Sequence, residues 1–137
     1  MIEIIWSWHP SKALGPFEFN KDITEYIDTY NLKKDLKDVN VNEWISYEMP
    51  NTEISLDVEN GLVVSIFSHD HFCFKNENLI GMKVTDLLEL MSSAEHDDGE
   101  TTEYDDGEIQ TVYEFDELGL QVWESNGVIV GAACREI

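Results

Sequence analysis

His69-Asp70-His71 is the part of this sequence best suited to metal chemistry. On an extended strand, residues two apart share a face. His69 and His71 can therefore present two imidazoles to a zinc ion, with a third ligand from elsewhere. No His-Glu-x-x-His pattern occurs and nothing at usual ligand spacing completes the set. The competing reading is the polar end of a hairpin strand running into solvent. Cys73 lies two residues further on. A nucleophilic thiolate needs electropositive surroundings, whereas this chain is acidic, and Phe72-Cys73-Phe74 reads as strand with an inert thiol. Asp97-Asp98-Gly99-Glu100 and Asp105-Asp106-Gly107-Glu108 repeat one tetrapeptide. Oxygen-rich loops with glycine turns suit calcium, but the alternating spacing of an EF-hand loop and its following helix are missing. Catalytic carboxylate pairs need a cleft that separates their pKa values, and these acids read as solvent-facing. A Gly-rich phosphate loop, a Gly-x-Ser-x-Gly elbow and a Cys-x-x-Cys pair are all absent. The reading is of a non-enzyme with no assigned cofactor, metal or catalytic residue.

Charge says more than these motifs. Between Val84 and Cys134 the chain carries fourteen Asp and Glu and no Lys or Arg. Eight of the acids fall between Glu95 and Glu108. Over the whole chain, 29 acids against 8 basic residues give a formal charge of −21. That balance excludes nucleic acid as a partner, because phosphate contacts need Lys and Arg. It equally disfavours anionic membranes. A field of this sign attracts basic partners. Disorder is not implied, since 42% of the residues are hydrophobic, including four Trp, five Tyr and six Phe. At 137 residues the chain suits one domain, residues 1–137, with a real core. The start, Met1-Ile-Glu-Ile-Ile-Trp-Ser-Trp8, lacks the basic region of a signal peptide. No uncharged apolar run approaches the ~20 residues of a membrane span. The expected location is the cytoplasm, where Cys73 and Cys134 would stay reduced.

The elements that must position these groups can be read from periodicity. A first strand is expected over Ile2 to Trp8, ended by His9-Pro10, and a loop over Ser11 to Phe19. Asn20 can cap a helix from Lys21 to Tyr30, with Ile23, Tyr26, Ile27 and Tyr30 on one face. Trp44 to Glu48 reads as strand. Ile54, Leu56 and Val58 alternate with polar residues up to Asn60-Gly61, a type I′ turn, and Leu62 to Phe67 returns. Phe72 to Phe74 reads as a further strand and Val84 to Met91 as a second helix. Strands over Ile109 to Phe115 and Leu118 to Glu124 follow, then Asn126-Gly127 and a return through Val128 to Cys134. Ile54 to Val64 aligns with Leu120 to Val130, and Ile23 to Ile27 with Val84 to Leu88. Chance and duplication both remain open. The fold class is α+β: a single domain, mostly antiparallel sheet, with two or more short helices on one face and a helix–hairpin unit used twice. Trp123, by alternation with Val122, falls on the sheet face opposite to it and is a candidate for an apolar interface patch.

Asn78-Leu-Ile-Gly-Met82 before a short helix, Tyr113-Glu-Phe-Asp-Glu-Leu-Gly-Leu-Gln-Val-Trp123, and Asn126-Gly127 with its returning strand resemble the immunity proteins of bacterial polymorphic and contact-dependent growth inhibition toxins. The likeness lies mainly in the C-terminal half. It implies an inhibitor that binds a cognate toxin's C-terminal domain, often a nuclease, in the cytoplasm. The tandem helix–hairpin texture also bears a likeness to the secreted β-lactamase-inhibitor type of fold, a role that the expected cytoplasmic location and reduced thiols oppose. The alternative function is a small α+β binding module for a small ligand or calcium. For toxin contact the expected residues are Glu95, Asp97, Asp98, Glu100, Glu103, Tyr104, Asp105, Asp106 and Glu108, with Tyr104 as an aromatic anchor among carboxylates. A solvated loop touching nothing is the other reading of that segment. Self-repulsion at −21 should yield to salt. Raising NaCl from 10 to 500 mM should relieve ~1 kcal/mol or more and lift the thermal midpoint by roughly 4 °C. An unchanged midpoint would show that the charges are already spaced beyond mutual reach.

Overall fold

The computed structural model describes residues 4–34, 44–91 and 97–136. It opens on β1 (Trp8–His9), β2 (Ala13–Leu14) and β3 (Phe17–Glu18), a small three-stranded antiparallel sheet. The loop expected over Ser11 to Phe19 is corrected, and so is the strand expected over Ile2 to Trp8 in its described part, residues 4–8; Ile2 and Glu3 lie outside the described residues. Leu14 and Phe17 are fully buried, and only a hairpin folding back at Gly15-Pro16 puts both into the core. Gly15 holds φ +57, with the Trp6 ring so close that an added Cβ would lie 2.6 Å from it. Next comes α1 (Thr24–Tyr30). Its start also departs from expectation: Asn20 takes a left-handed backbone at φ +61 and does not cap the helix. Asp22 acts instead, its carboxylate accepting the Thr24 N–H at 3.0 Å and the Thr24 hydroxyl at 2.8 Å. Those bonds hold the Asp22 carboxyl below its ordinary range. Asn31, at φ +55, ends the helix.

The remaining elements are β4 (Lys33–Lys34), β5 (Trp44–Glu48), β6 (Ile54–Glu59), β7 (Leu62–Ser68), the hairpin β8 (Cys73–Phe74) and β9 (Glu77–Asn78), α2 (Val84–Leu90), β10 (Asp97–Glu103), β11 (Ile109–Phe115), β12 (Leu120–Ser125) and β13 (Val128–Arg135). Eight strands form one sheet in the order β10-β11-β12-β13-β7-β6-β5-β4, every neighbouring pair antiparallel. Among the described residues no helix is long and apolar enough to cross a membrane.

Register assigns the sheet two faces. One cross-strand row runs Tyr47, Leu56, Ile66, Cys134, Leu120, Phe115, and from Leu56 onward every member is at most 1% exposed. Burying each such apolar side chain contributes roughly 1.5–3 kcal/mol. Ile23, Tyr26 and Ile27 of the α1 segment, Leu87 and Leu88 of α2, and Trp6, Trp8 and Phe17 belong to or pack on this same cluster. Phe17 meets Tyr26 and Tyr30 edge-on, with ring centres 5.1 and 5.0 Å away, which ties the small sheet to α1.

Four consecutive strands lie on each side of the seam where β7 pairs with β13. Each helix is fastened to the hairpin that crosses it. The Ile23 N–H donates to Gly61 O, the Val63 N–H to Lys21 O and the Asn20 N–H to Val63 O, at 2.9, 3.0 and 2.9 Å. The Val84 N–H donates to Gly127 O, the Ile129 N–H to Met82 O and the Gly81 N–H to Ile129 O, at 2.9, 2.8 and 2.8 Å. Both hairpins turn on Asn-Gly with positive φ at both central residues: Asn60 and Gly61, Asn126 and Gly127. Gly61 has open space around its missing Cβ, unlike Gly15. In urea unfolding, Gly61→Ala should therefore lose only the ~1 kcal/mol of left-handed strain. Gly15→Ala should lose roughly 2–4 kcal/mol, because the buried Trp6 ring must also move. Equal losses would contradict the packing of Trp6 over Gly15.

Candidate functional site

The histidine cluster is a structural joint. Asp70 sits at its centre, where β7 hands over to the β8–β9 hairpin. Its carboxylate accepts the Glu53 N–H at 3.2 Å, the Ser68 hydroxyl at 3.1 Å and the His71 N–H at 2.8 Å. The Asn78 amide donates to Asp70 O at 3.0 Å and its oxygen accepts the N–H groups of Phe72 and Ile80. His71 Nδ1 stands 3.6 Å from the Asp70 carboxylate, while His69 Nδ1 points elsewhere, donating to Val130 O at 3.0 Å. A carbonyl oxygen only accepts, so that nitrogen carries the proton and is unavailable to a metal. Among the described residues, no group of three or more His, Cys, Asp or Glu is placed to hold a metal ion. Both cysteines are free thiols, and burial pushes each above the usual thiol range, Cys134 far above it. Neither environment produces a thiolate nucleophile.

The acidic stretch is a hairpin at the edge of the sheet. Asp97, Asp98, Glu100 and Glu103 lie in β10, which pairs with β11 from Asp97↔Glu114 to Glu103↔Ile109. Strand in place of loop has a local cause: Thr101 and Thr102 are β-branched and stand opposite Thr111 and Gln110. Thr101 and Thr111 share a hydroxyl contact at 3.2 Å. The turn holds Tyr104, Asp105, Asp106 and Glu108. The Gly107 N–H donates to Tyr104 O, the Tyr104 N–H to Glu108 O, and the Glu108 N–H to the Asp106 carboxylate, at 2.8, 2.8 and 2.9 Å. Tyr104 is 43% and Ile109 54% exposed, so two large apolar groups ride at the tip among carboxylates. Glu95 lies outside the described residues.

Sequence reasoning did not find the aromatic cluster on the sheet's second face. Trp123 falls opposite the buried Val122 as alternation required, but its partner comes from the other half of the chain. Phe67 packs edge-on against Trp123, ring centres 5.2 Å apart, and against His69 at 4.4 Å. A Cβ at Gly131 would sit 3.2 Å from both the Phe67 and His69 rings, so glycine there makes the notch that receives them. Phe67 could have been placed on this face by its alternation with Ile66. Its meeting with Trp123 depends on the β7–β13 pairing, which has no local signal. A cavity of about 490 Å³ adjoins the cluster, lined in part by Lys33, Glu48, Glu53, Ser55, Phe67 and His69.

Burial alone would raise the Asp70 carboxyl, but the bonds from the Glu53 N–H, the Ser68 hydroxyl and the His71 N–H, with the His71 ring close by, outweigh it and hold the carboxyl below its ordinary range. A carboxyl depressed on folding stabilises above its unfolded pKa, and that contribution fades as pH falls through the lower folded value. Asp70→Asn should therefore flatten the acid limb of stability below about pH 4, measured by urea midpoints from pH 7 to pH 2. An acid limb matching that of the unsubstituted chain would remove Asp70 from this role. Compared with known proteins, the chain matches no family model, no curated protein and no solved structure.

Proposed function

We propose that this chain is an immunity-type inhibitor that binds a basic bacterial toxin domain one to one in the cytoplasm and neutralises it without turnover. The observation that carries the reading is the acidic edge hairpin with Tyr104 and Ile109 exposed at its tip, in a stretch from Val84 to Cys134 that has no Lys or Arg. Carboxylates at that edge accelerate encounter with a Lys- and Arg-rich enzyme, and desolvated contacts then set the lifetime. A nuclease fits, because its substrate channel is basic for the same electrostatic reason.

The proposal extends to the fold: two copies of one unit, each a hairpin, a short helix and a four-stranded meander, with both helices on one sheet face. Its support is the matched bonding of α1 to Gly61 and Val63 and of α2 to Gly127 and Ile129. The small hairpins agree in register as well, Ala13↔Glu18 and Leu14↔Phe17 against Cys73↔Asn78 and Phe74↔Glu77. Bulges fall at Asp57/Val58 and Trp123/Glu124, positions that the Ile54–Leu120 alignment makes equivalent. At the seam Ile66 faces Cys134, Phe67 faces Ala133 and Ser68 faces Ala132. In the same alignment each strand meets its own equivalent in reverse, as at an isologous twofold contact.

The test is co-expression with the C-terminal domain encoded by the gene immediately upstream, followed by affinity measurements at low and high salt. A one-to-one complex with nanomolar Kd that rescues growth from that domain is the expected result. Its association rate should fall at least tenfold between 50 and 500 mM NaCl. Absence of both toxicity and binding would overturn the proposal.

A further inference from the structure

We infer that the partner docks on the face of the eight-stranded sheet that carries Phe67 and Trp123, with the acidic hairpin serving as its rim. This inference rests on the inhibitor reading and specifies its interface. One cross-strand row spans that face: Lys33, Glu48, Ser55, Phe67, Ala133, Gln121, Glu114 and the Asp97 position. Phe67 and Ala133 occupy its middle, at the β7–β13 seam. Glu48 and Glu114 each stand two strands out, roughly 10 Å from the seam at ~4.8 Å per strand. The next row places Val112, Trp123 and Gly131 together, and the His69 ring lies against Gly131.

The composition follows a stable interface: aromatic centre, polar surround, charged flanks. Phe67 and Trp123 stand outside the hydrophobic cluster that unites the sheet with both helices, and their ring contacts are with each other and His69. The charges specify a basic occupant. Asp57, Glu48 and Glu114 belong to this face; Arg135 is already engaged by Asp116 at 3.3 Å, which among the described residues leaves Lys33 at the β4 edge. An arginine from the partner is suited to the 490 Å³ cavity beside Phe67, where Glu48 and Glu53 accept its N–H groups and the ring offers a π face. Size agrees as well. The seven longer strands at ~4.8 Å spacing and about 20 Å of strand length give roughly 670 Å², near the ~800 Å² per partner of a standard interface.

Trp123→Ala and Ser55→Arg test this against the upstream-encoded domain by surface plasmon resonance. Trp123 is only partly buried and stands outside the hydrophobic core cluster, and Ser55 points away from the core, so circular dichroism should report intact folds. The combined neutralisation Asp105→Asn with Asp106→Asn serves as the contrast. Dissociation should quicken roughly 30-fold or more for each face variant. For the hairpin variant the expected loss is in association, severalfold, with dissociation little changed. A complex that forms with wild-type kinetics in both face variants overturns the docking face and leaves the inhibitor reading standing. Failure of the unsubstituted chain to bind removes both. If one face variant proves misfolded, the other decides.

Discussion

The antiparallel seam between β7 and β13 is the contact on which the rest of the molecule depends. It joins two four-stranded meanders into one sheet. It also places Ile66 beside Cys134 and Ser68 beside Ala132 in the core, and Phe67 beside Ala133 on the opposite face. Each strand sits in the middle of an eight-stranded sheet, so neither presents a bare edge there. Without the seam, each half would expose a flat central strand, and the core row from Tyr47 to Phe115 would be cut between Ile66 and Cys134. The small side chains of Gly131, Ala132 and Ala133 let the two meanders approach while the Phe67 and His69 rings fill the space over Gly131.

A chain at −21 must fold against its own repulsion. The fold answers by segregation. Apolar side chains from the sheet, both helices and the N-terminal hairpins share one core, while much of the acid is gathered at the β10–β11 edge and the sheet margins. An acidic edge strand also resists pairing with another copy of itself, because like charges would face each other. The same arrangement leaves a field that favours a basic partner. Protection of the edge and the proposed preference for a basic partner thus rest on one distribution of charge.

Much of this was legible in the residues. Alternation in Ile54, Leu56 and Val58, with Asn60-Gly61 after it, specifies the central hairpin, and Ile23, Tyr26 and Ile27 specify the inward face of α1. The N-terminal hairpin was not legible, because two-residue strands leave no periodicity and Gly15-Pro16 reads equally as a loop. The acidic strand was hidden by composition. Asp and Glu are poor strand formers, and they masked the β-branched Thr101 and Thr102, which pair with β11. As for the site, the sequence marked the acids and Tyr104, and put Trp123 on the far face. It could not join Trp123 to Phe67, which lies 56 positions earlier in the chain. His69-Asp70-His71 left two readings open, a metal pair and the polar end of a hairpin strand; in the structure it is a junction fastened by Asp70.

The most direct test is hydroxyl-radical footprinting of the chain with and without the upstream-encoded domain, read by mass spectrometry at each aromatic side chain. The account predicts that Trp123, Phe67 and Tyr104 lose reactivity in the complex while Tyr26 and Tyr30 on α1 keep theirs. Protection of Tyr26 and Tyr30 with Trp123 and Phe67 unchanged would place the partner over α1 and contradict the account.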